Sequence, residues 1–158
     1  DRQADLGLSG MPSSSVGYSS IAMAKDEVVL AVSANHKFAD LRSITIDQLR
    51  DENIIEREGG SGTWQTVVQA LSAAGVELPE HKVSMTLGST QAVIVAVGQN
   101  LGVGFVTQHA VSSHSNNVVA IRIDGLSLER DLSLTYETGR VRGRHTQAFI
   151  DFVDAKSS

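Results

Sequence analysis

Two glycine-rich stretches carry the residues best suited to hold a ligand. The first, "EREGGSGTWQ" (56–65), places three glycines, a serine and a threonine before a tryptophan, and the second, "LGSTQAV" (87–93), also runs through Gly-Ser-Thr. At a helix start the first backbone N–H groups have no partner inside the helix, and the helix dipole is positive there. Glycine admits a ligand close to the backbone, and the hydroxyls add donors. Each stretch could therefore bind an anion such as a carboxylate.

Each turn also has a simpler interpretation. Ser61 or Thr63 could cap a helix while glycine supplies the turn geometry, and Ser89 or Thr90 could do the same in the second stretch. The first stretch is not a Walker loop, because no Gly-Lys-Ser/Thr follows it, and it lacks the spacing of a dinucleotide fingerprint. The residues alone leave both interpretations open.

The elements around the turns place them together. Three strands are predicted at "NIIERE" (53–58), "KVSMTL" (82–87) and "GVGFVT" (102–107), with helices after the first two. The first helix has an apolar face that includes Trp64 and should end at Gly75. This β-α-β-α-β order is typical of a mostly parallel sheet, whose ligands bind beyond the carboxyl ends of the strands. Both turns are thus expected at one edge of the sheet.

Other elements are predicted from the same kinds of pattern. Strands are expected at 27–33, 118–123 and 130–137. Thr45 should cap a short helix at 45–52. A terminal helix is predicted at 145–155, with an apolar stripe made of Phe149, Phe152 and Val153.

Composition excludes several kinds of protein. The 158 residues contain no cysteine, which rules out disulfides, thiolate metal sites and cysteine nucleophiles and fits a reducing compartment. The net charge of −5 argues against nucleic-acid binding by this chain itself. No apolar run is long enough to span a membrane. We expect no cofactor and no contact with a membrane.

No catalytic or metal-binding constellation stands out. The five histidines lack metal-ligand spacing, and His114 lies in a predicted loop, "SSHSNN". No G-x-S-x-G elbow occurs. The basic stretch "GRVRGRH" (139–145) is interpreted as a solvated loop, or alternatively as a contact with a partner protein or an acidic surface. The protein is therefore not expected to be an enzyme.

Taken in order, several stretches resemble the effector-binding domain of LysR-type transcriptional regulators. "EREGGSGTW" is similar to the family's "R-E-x-G-S-G-T-R" turn, and "GSTQAVIVAVGQNLGVGFVT" (88–107) to its helix and "G-x-G-V-G-x-x-P" strand. The chain departs from the pattern at Lys37, Trp64 and Thr107, where the family often has proline, arginine and proline. The other stretches that match are "ADLGLSG" (4–10), "DEVVLAVSANHKFAD" (26–40) and "TQAFIDFV" (146–153).

The resemblance implies an α/β fold of the type 2 periplasmic-binding-protein kind, with two Rossmann-like lobes and the first lobe incomplete. Residues 1–33 would be part of lobe I, 34–134 lobe II, and 135–158 the return to lobe I through the C-terminal helix. The family's DNA-binding domain would be absent from this chain. A cleft between the lobes would hold a small effector, contacted by residues matching the family's site: Ser61, Gly62, Thr63, Ser89, Thr90, Val106 and Thr107.

The implied function is effector sensing in a bacterial, cytoplasmic regulator. The effector would be a carboxylate, a sulfate or a phosphate-like anion, the protein would self-associate to a dimer or tetramer, and DNA would be bound only through the missing N-terminal domain. An alternative is a solute-binding or anion-binding protein of a transport system, since phosphate receptors also use a Ser-Gly-Thr helix start.

Overall fold

The computed structural model describes residues 4–10, 13, 15–76, 83–114 and 117–157, with the backbone alone for 112–114. The chain divides into two compact units. Unit 1 comprises Asp1–Asp26 and Arg130–Ser158, and unit 2 comprises Glu27–Glu129. Both divisions fall within strands. The lobe limits expected from the sequence lie elsewhere, at 33/34 and 134/135, and remain a prediction.

The described residues form eight strands and five helices. The strands are β1 (Gly7–Ser9), β2 (Tyr18–Ser33), β3 (Ser43–Ile44), β4 (Ile54–Arg57), β5 (Val83–Leu87), β6 (Val103–Thr107), β7 (Val118–Ile123) and β8 (Glu129–Glu137). The helices are α1 (Ile46–Leu49), α2 (Gly62–Ala73), α3 (Thr90–Gly98), α4 (Gln108–His114) and α5 (Arg144–Ser157). None of the helices described is long and apolar enough to cross a membrane.

The sheet of unit 2 confirms the predicted β-α-β-α-β block. β4 pairs in parallel with β5 on one side and with β6 on the other. β2 pairs antiparallel with β6 and with β7, and β7 pairs in parallel with β3. The second half of β2 is almost continuously apolar because it lies inside this sheet, where both of its faces are covered.

α2 and α3 pack on opposite faces of that sheet. Val28 and Leu30 of β2 belong to a core cluster that also holds Val67 of α2. Val29, the residue between them, belongs to a second cluster with Val93 of α3. Neighbouring strand residues point to opposite faces, so the two clusters lie on opposite sides of the sheet.

Both helices end in a Schellman motif, in which a left-handed residue follows the last helical turn. After α2, the left-handed residue is Gly75 (φ +70°), and Val76 N–H donates to Leu71 at 2.9 Å. The predicted role of Gly75 is therefore confirmed. After α3, Asn100 (φ +58°) takes this position, and Leu101 N–H donates to Ala96 at 3.2 Å.

Three sequence expectations were wrong in detail. His114 ends α4 instead of lying in a loop, because a helix begins directly after β6 without a turn signal. In α5 the buried apolar residues are Ile150 and Val153, while Phe149 and Phe152 are exposed. β2 also begins earlier than the predicted strand at 27–33, at Tyr18.

Unit 1 has its own small core and one buried ion pair. β8 pairs antiparallel with β1 and lies next to β2. Leu134 of β8 packs with the two buried residues of α5. At the edge of the unit, Arg130 Nε and Nη2 lie 2.8 and 2.7 Å from Asp26 Oδ2, and both side chains are largely buried. This pair links β2 with β8.

Candidate functional site

The carboxyl ends of the three parallel strands of unit 2 form one edge. β4 ends at Arg57, β5 at Leu87 and β6 at Thr107, and Arg57 is in register with Leu87. From β4 the chain moves to β5 on one side and then to β6 on the other, so the direction of winding reverses at β4. In open α/β sheets the crevice at such a reversal is where ligands bind. The predicted site residues lie at this edge.

The start of α2 is both capped and open to a further partner. Ser61 is the N-cap, and its hydroxyl oxygen accepts from Trp64 N–H at 3.4 Å, which leaves its own O–H free to donate. Within the described residues, nothing accepts from the N–H groups of Gly62 and Thr63. Ser61 and Thr63 are only 6% and 7% exposed. The capping and anion-binding interpretations of this turn are therefore compatible.

The hydroxyl of Thr63 makes no hydrogen bond within the described part of unit 2, or with any other part of the chain that the structure describes. Thr66, one turn later, differs in that its hydroxyl donates to the Gly62 carbonyl at 2.9 Å. Its oxygen is not among the solvent-shielded atoms that lack a partner, so the hydroxyl of this largely buried residue is open to a partner from outside the chain.

The start of α3 uses its hydroxyls differently. Ser89 is the N-cap and accepts from Ala92 N–H at 3.1 Å. The Thr90 hydroxyl accepts from Arg57 Nη1 at 2.8 Å. Ser89 is exposed and Thr90 is half-buried. Both predicted residues therefore lie at the same edge as the α2 start, although α2 and α3 occupy opposite faces of the sheet.

Arg57 is the residue at this edge that the sequence analysis missed. Its Nε and Nη2 donate to the two carboxylate oxygens of Glu58 at 2.8 Å each, while Nη1 reaches Thr90. The side chain is 13% exposed. Hydrogen bonding from Arg57 holds the pKa of the Glu58 carboxyl below its usual value. The signal that could have found it is its place as the last strand residue before the glycine turn.

The end of β6 contributes less side-chain surface than expected. Val106 is fully buried and packs in the cluster under α3, so it could offer a ligand only its backbone. Thr107 is half-buried and is paired in register with Val28. Trp64 packs against the core cluster under α2, 6.3 Å from Phe105 between ring centroids, as favoured by its place on the apolar face.

His36 contacts a carboxylate, and its role here is structural. Phe38 N–H donates to Nδ1 at 3.3 Å, and Nε2 lies 3.2 Å from Glu52. Lys37 also contacts Glu52, which raises the lysine pKa. Among the described residues, no group of three or more acidic or histidine side chains could hold a metal ion. His81 lies outside the described residues.

Comparison with known families decides what this arrangement belongs to. The family model described as the LysR substrate binding domain matches residues 1–158. The chain belongs to the LysR substrate-binding family. A RuBisCO operon transcriptional regulator from Allochromatium vinosum is 29% identical over 151 residues, which are 94% of this chain and 49% of the relative. The chain thus spans about half the length of that relative.

Solved structures give the same fold. The regulatory domain of CcmR from Synechocystis PCC6803 superposes with a TM-score of 0.85, at 24% identity, covering 99% of this chain and 75% of that one. The effector-binding domain of QuiR superposes with a TM-score of 0.84, at 19% identity, covering 97% and 71%. The fold is therefore the α/β, type 2 periplasmic-binding-protein-like fold expected from the sequence.

Family membership also bears on whether the chain is an enzyme and whether it belongs to a transport system. The family and its neighbours are effector-binding domains of transcriptional regulators, not enzymes. The chain is accordingly an effector-binding domain of the LysR type, and the alternative role in a transport system is not favoured.

Proposed function

We propose that this domain senses a small anionic metabolite and thereby controls the output of a LysR-type regulator. The observation that carries the proposal is the α2 start in unit 2. There the largely buried Thr63 offers a hydroxyl without a described partner, next to two backbone N–H groups that are also unused. Family membership over residues 1–158 supplies the context of effector binding.

The ligands of two neighbours support an anionic effector. The CcmR regulatory domain was solved in complex with 2-PG, and the QuiR domain in complex with shikimate, which carries a carboxylate. In this chain Arg57 is already matched by Glu58, so its charge is neutralised locally. Recognition would rest on N–H groups and hydroxyls, which suit a carboxylate, sulfate or phosphate-like group.

The seven predicted residues have unequal parts in this proposal. Ser61, Gly62 and Thr63 make the primary contacts through two hydroxyls and the backbone. Ser89 and Thr107 would complete the site at the same edge. Thr90, whose hydroxyl already accepts from Arg57, would make no direct contact with the effector, and Val106 would contribute only its backbone.

The role of the whole protein follows from the family. We infer that the regulator binds DNA through a separate domain, works in the cytoplasm where its DNA is, and self-associates to a dimer or tetramer. Units 1 and 2 would belong to the two lobes of the domain. The effector would change DNA binding by favouring one conformation, which requires a difference in its affinity for the two states.

A pair of matched variants tests the site. A thermal-shift screen of small carboxylates, sulfate and phosphates, including shikimate, would first supply a ligand. Calorimetry would then compare its affinity for wild type, Thr63→Val and Thr90→Val. We expect Thr63→Val to weaken binding by roughly 1.5–3 kcal/mol, the cost of a hydrogen bond to a charged group. Thr90→Val, the control, should change it by less than about 0.5 kcal/mol, because its hydroxyl serves Arg57.

Two results would count against this assignment. Equal affinity of wild type and Thr63→Val would remove Thr63 from the site. A larger loss in Thr90→Val than in Thr63→Val would move the site to the start of α3.

A further inference from the structure

In Arg142, the two nitrogen atoms with which arginine commonly binds the two oxygens of an oxyanion are buried but have no partner. Its Nε and Nη2 atoms are shielded from solvent, and no hydrogen-bond partner for them occurs in the described residues. Arg142 lies in unit 1, between β8 and α5, in the basic stretch 139–145. Effector binding by unit 2 does not account for it.

In three other arginines of the molecule, the same two nitrogen atoms bind a carboxylate. Arg57 uses Nε and Nη2 to hold the two oxygens of Glu58, and Arg122 holds Glu27 in the same way at 2.7 and 2.9 Å. Arg130 directs both atoms at Asp26 Oδ2. In each case the fork holds a carboxylate, which matches its planar donor geometry. Arg142 is the exception.

The orientation of the empty fork is fixed by packing. The Arg142 guanidinium carbon lies 4.8 Å from the centroid of the Tyr136 ring. Tyr136 in turn packs against the core cluster of unit 1. Stacking on the ring satisfies the face of the guanidinium but not its N–H groups, which point along its edge. The charge is therefore held in place with its donors unused.

The neighbouring residues leave these donors uncompensated. Arg140, two residues earlier, is paired with Asp5 at 2.7 Å. Val141 is fully exposed, and a Cβ built on Gly143 would meet nothing within 4 Å, so the chain on both sides of Arg142 lies at the surface. A buried, unpaired cation is costly, and an oxyanion bound to Nε and Nη2 would remove that cost.

We propose that Arg142 is the seat of an oxyanion-binding site in unit 1. Its ligand is a carboxylate or phosphate group that presents two oxygens to Nε and Nη2, with the guanidinium held over the Tyr136 ring. Two sources share this chemistry: a small anion from solution, or a carboxylate side chain from a second copy of the protein.

The test uses the ¹⁵N-labelled 158-residue chain and inorganic phosphate. The Nε–Hε resonance of Arg142, assigned by its loss in Arg142→Lys, is followed during a phosphate titration at constant ionic strength. We expect a saturating downfield shift.

Arg142→Gln should lower the phosphate affinity measured by calorimetry about tenfold or more, the loss expected for charge-assisted bonds. Arg144→Gln, the control, removes the same charge from the same basic stretch at an exposed residue and should keep affinity within about twofold.

The possible outcomes separate the two sources. A phosphate-dependent shift identifies a small anion as the ligand. A shift present without phosphate, which disappears on dilution together with a dimer, identifies a carboxylate of the second copy. A resonance that moves in neither series overturns the proposal, and this outcome needs only wild-type protein and the Arg142→Lys assignment, even if Arg142→Gln fails to fold. Thr63→Val should leave the Arg142 resonance unchanged, so failure of the effector site and failure of this site are distinguishable.

Discussion

At the start of α2 the Thr63 hydroxyl has no described partner, whereas at the start of α3 the Thr90 hydroxyl accepts from Arg57. The two turns have almost the same composition, and in both a serine caps the helix. The difference comes from one strand residue, since Arg57 ends β4 and reaches across to the helix that follows β5. Similar motifs at one sheet edge can therefore differ in whether their donors are available to a ligand.

α2 and α3 also pack against different parts of the sheet. α2 packs on side chains, including Phe105 of β6, which belongs to the same cluster. α3 packs on bare backbone at Gly104, where a built Cβ would lie 2.6 Å from Val93 Cγ1 and 3.1 Å from the Ile55 carbonyl oxygen. The position of α3 thus depends on a glycine, and the position of α2 does not.

The largest effect is expected from removing that glycine. Gly104→Ala should lower the free energy of unfolding by about 2–3 kcal/mol, because the new methyl group overpacks a filled interior. Chemical denaturation would measure the change. Gly88→Ala is the control: it stands just before α3 with nothing within 4 Å of its Cβ, and it should cost less than about 0.5 kcal/mol. Equal losses in the two variants would show that α3 is not seated on Gly104.

A smaller effect should separate the two threonines in the ligand-free protein. Thr90→Val should lower the free energy of unfolding by about 1–2 kcal/mol, because the half-buried Nη1 of Arg57 loses its acceptor while Glu58 remains. Thr63→Val removes a hydroxyl that has no described partner and should leave stability unchanged within about 0.5 kcal/mol. Thermal melts of both variants would show the contrast. A loss in Thr63→Val as large as in Thr90→Val would mean that Thr63 has a structural role.

The parallel block, the helix caps and the fold could be predicted from the sequence. The alternation of strand and helix signals from 53 to 107 predicted the parallel block, and the serines before each helix predicted the caps. Such features depend on neighbours in the chain, so a single sequence carries them. The ordered matches to the LysR family predicted the fold, which family membership confirmed.

What the sequence could not give depends on contacts between distant residues. Arg57 and Thr90 are 33 positions apart in the chain, and they make contact only because β4 and β5 are adjacent in the sheet. α5 was expected to bury Phe149, Phe152 and Val153, but of these only Val153 is buried, together with Ile150. Which face of an apolar helix is buried depends on the element that it packs against. The isolation of Arg142 in a basic stretch was equally invisible, because it depends on which carboxylates fold close to it.

The smallest effect concerns the opposite ends of the same two helices. α2 ends with Gly75 and α3 with Asn100, both in the left-handed conformation that closes a Schellman motif. Asparagine tolerates this conformation, whereas glycine adopts it freely but loses more entropy on folding. The two terms oppose each other, so Asn100→Gly and Gly75→Asn should each change the free energy of unfolding by about 0.5 kcal/mol or less. Denaturant midpoints at constant slope would measure both changes. A loss above about 1 kcal/mol in Asn100→Gly alone would show that the asparagine side chain itself supports α3, and would extend the difference between the two helices from their starts to their ends.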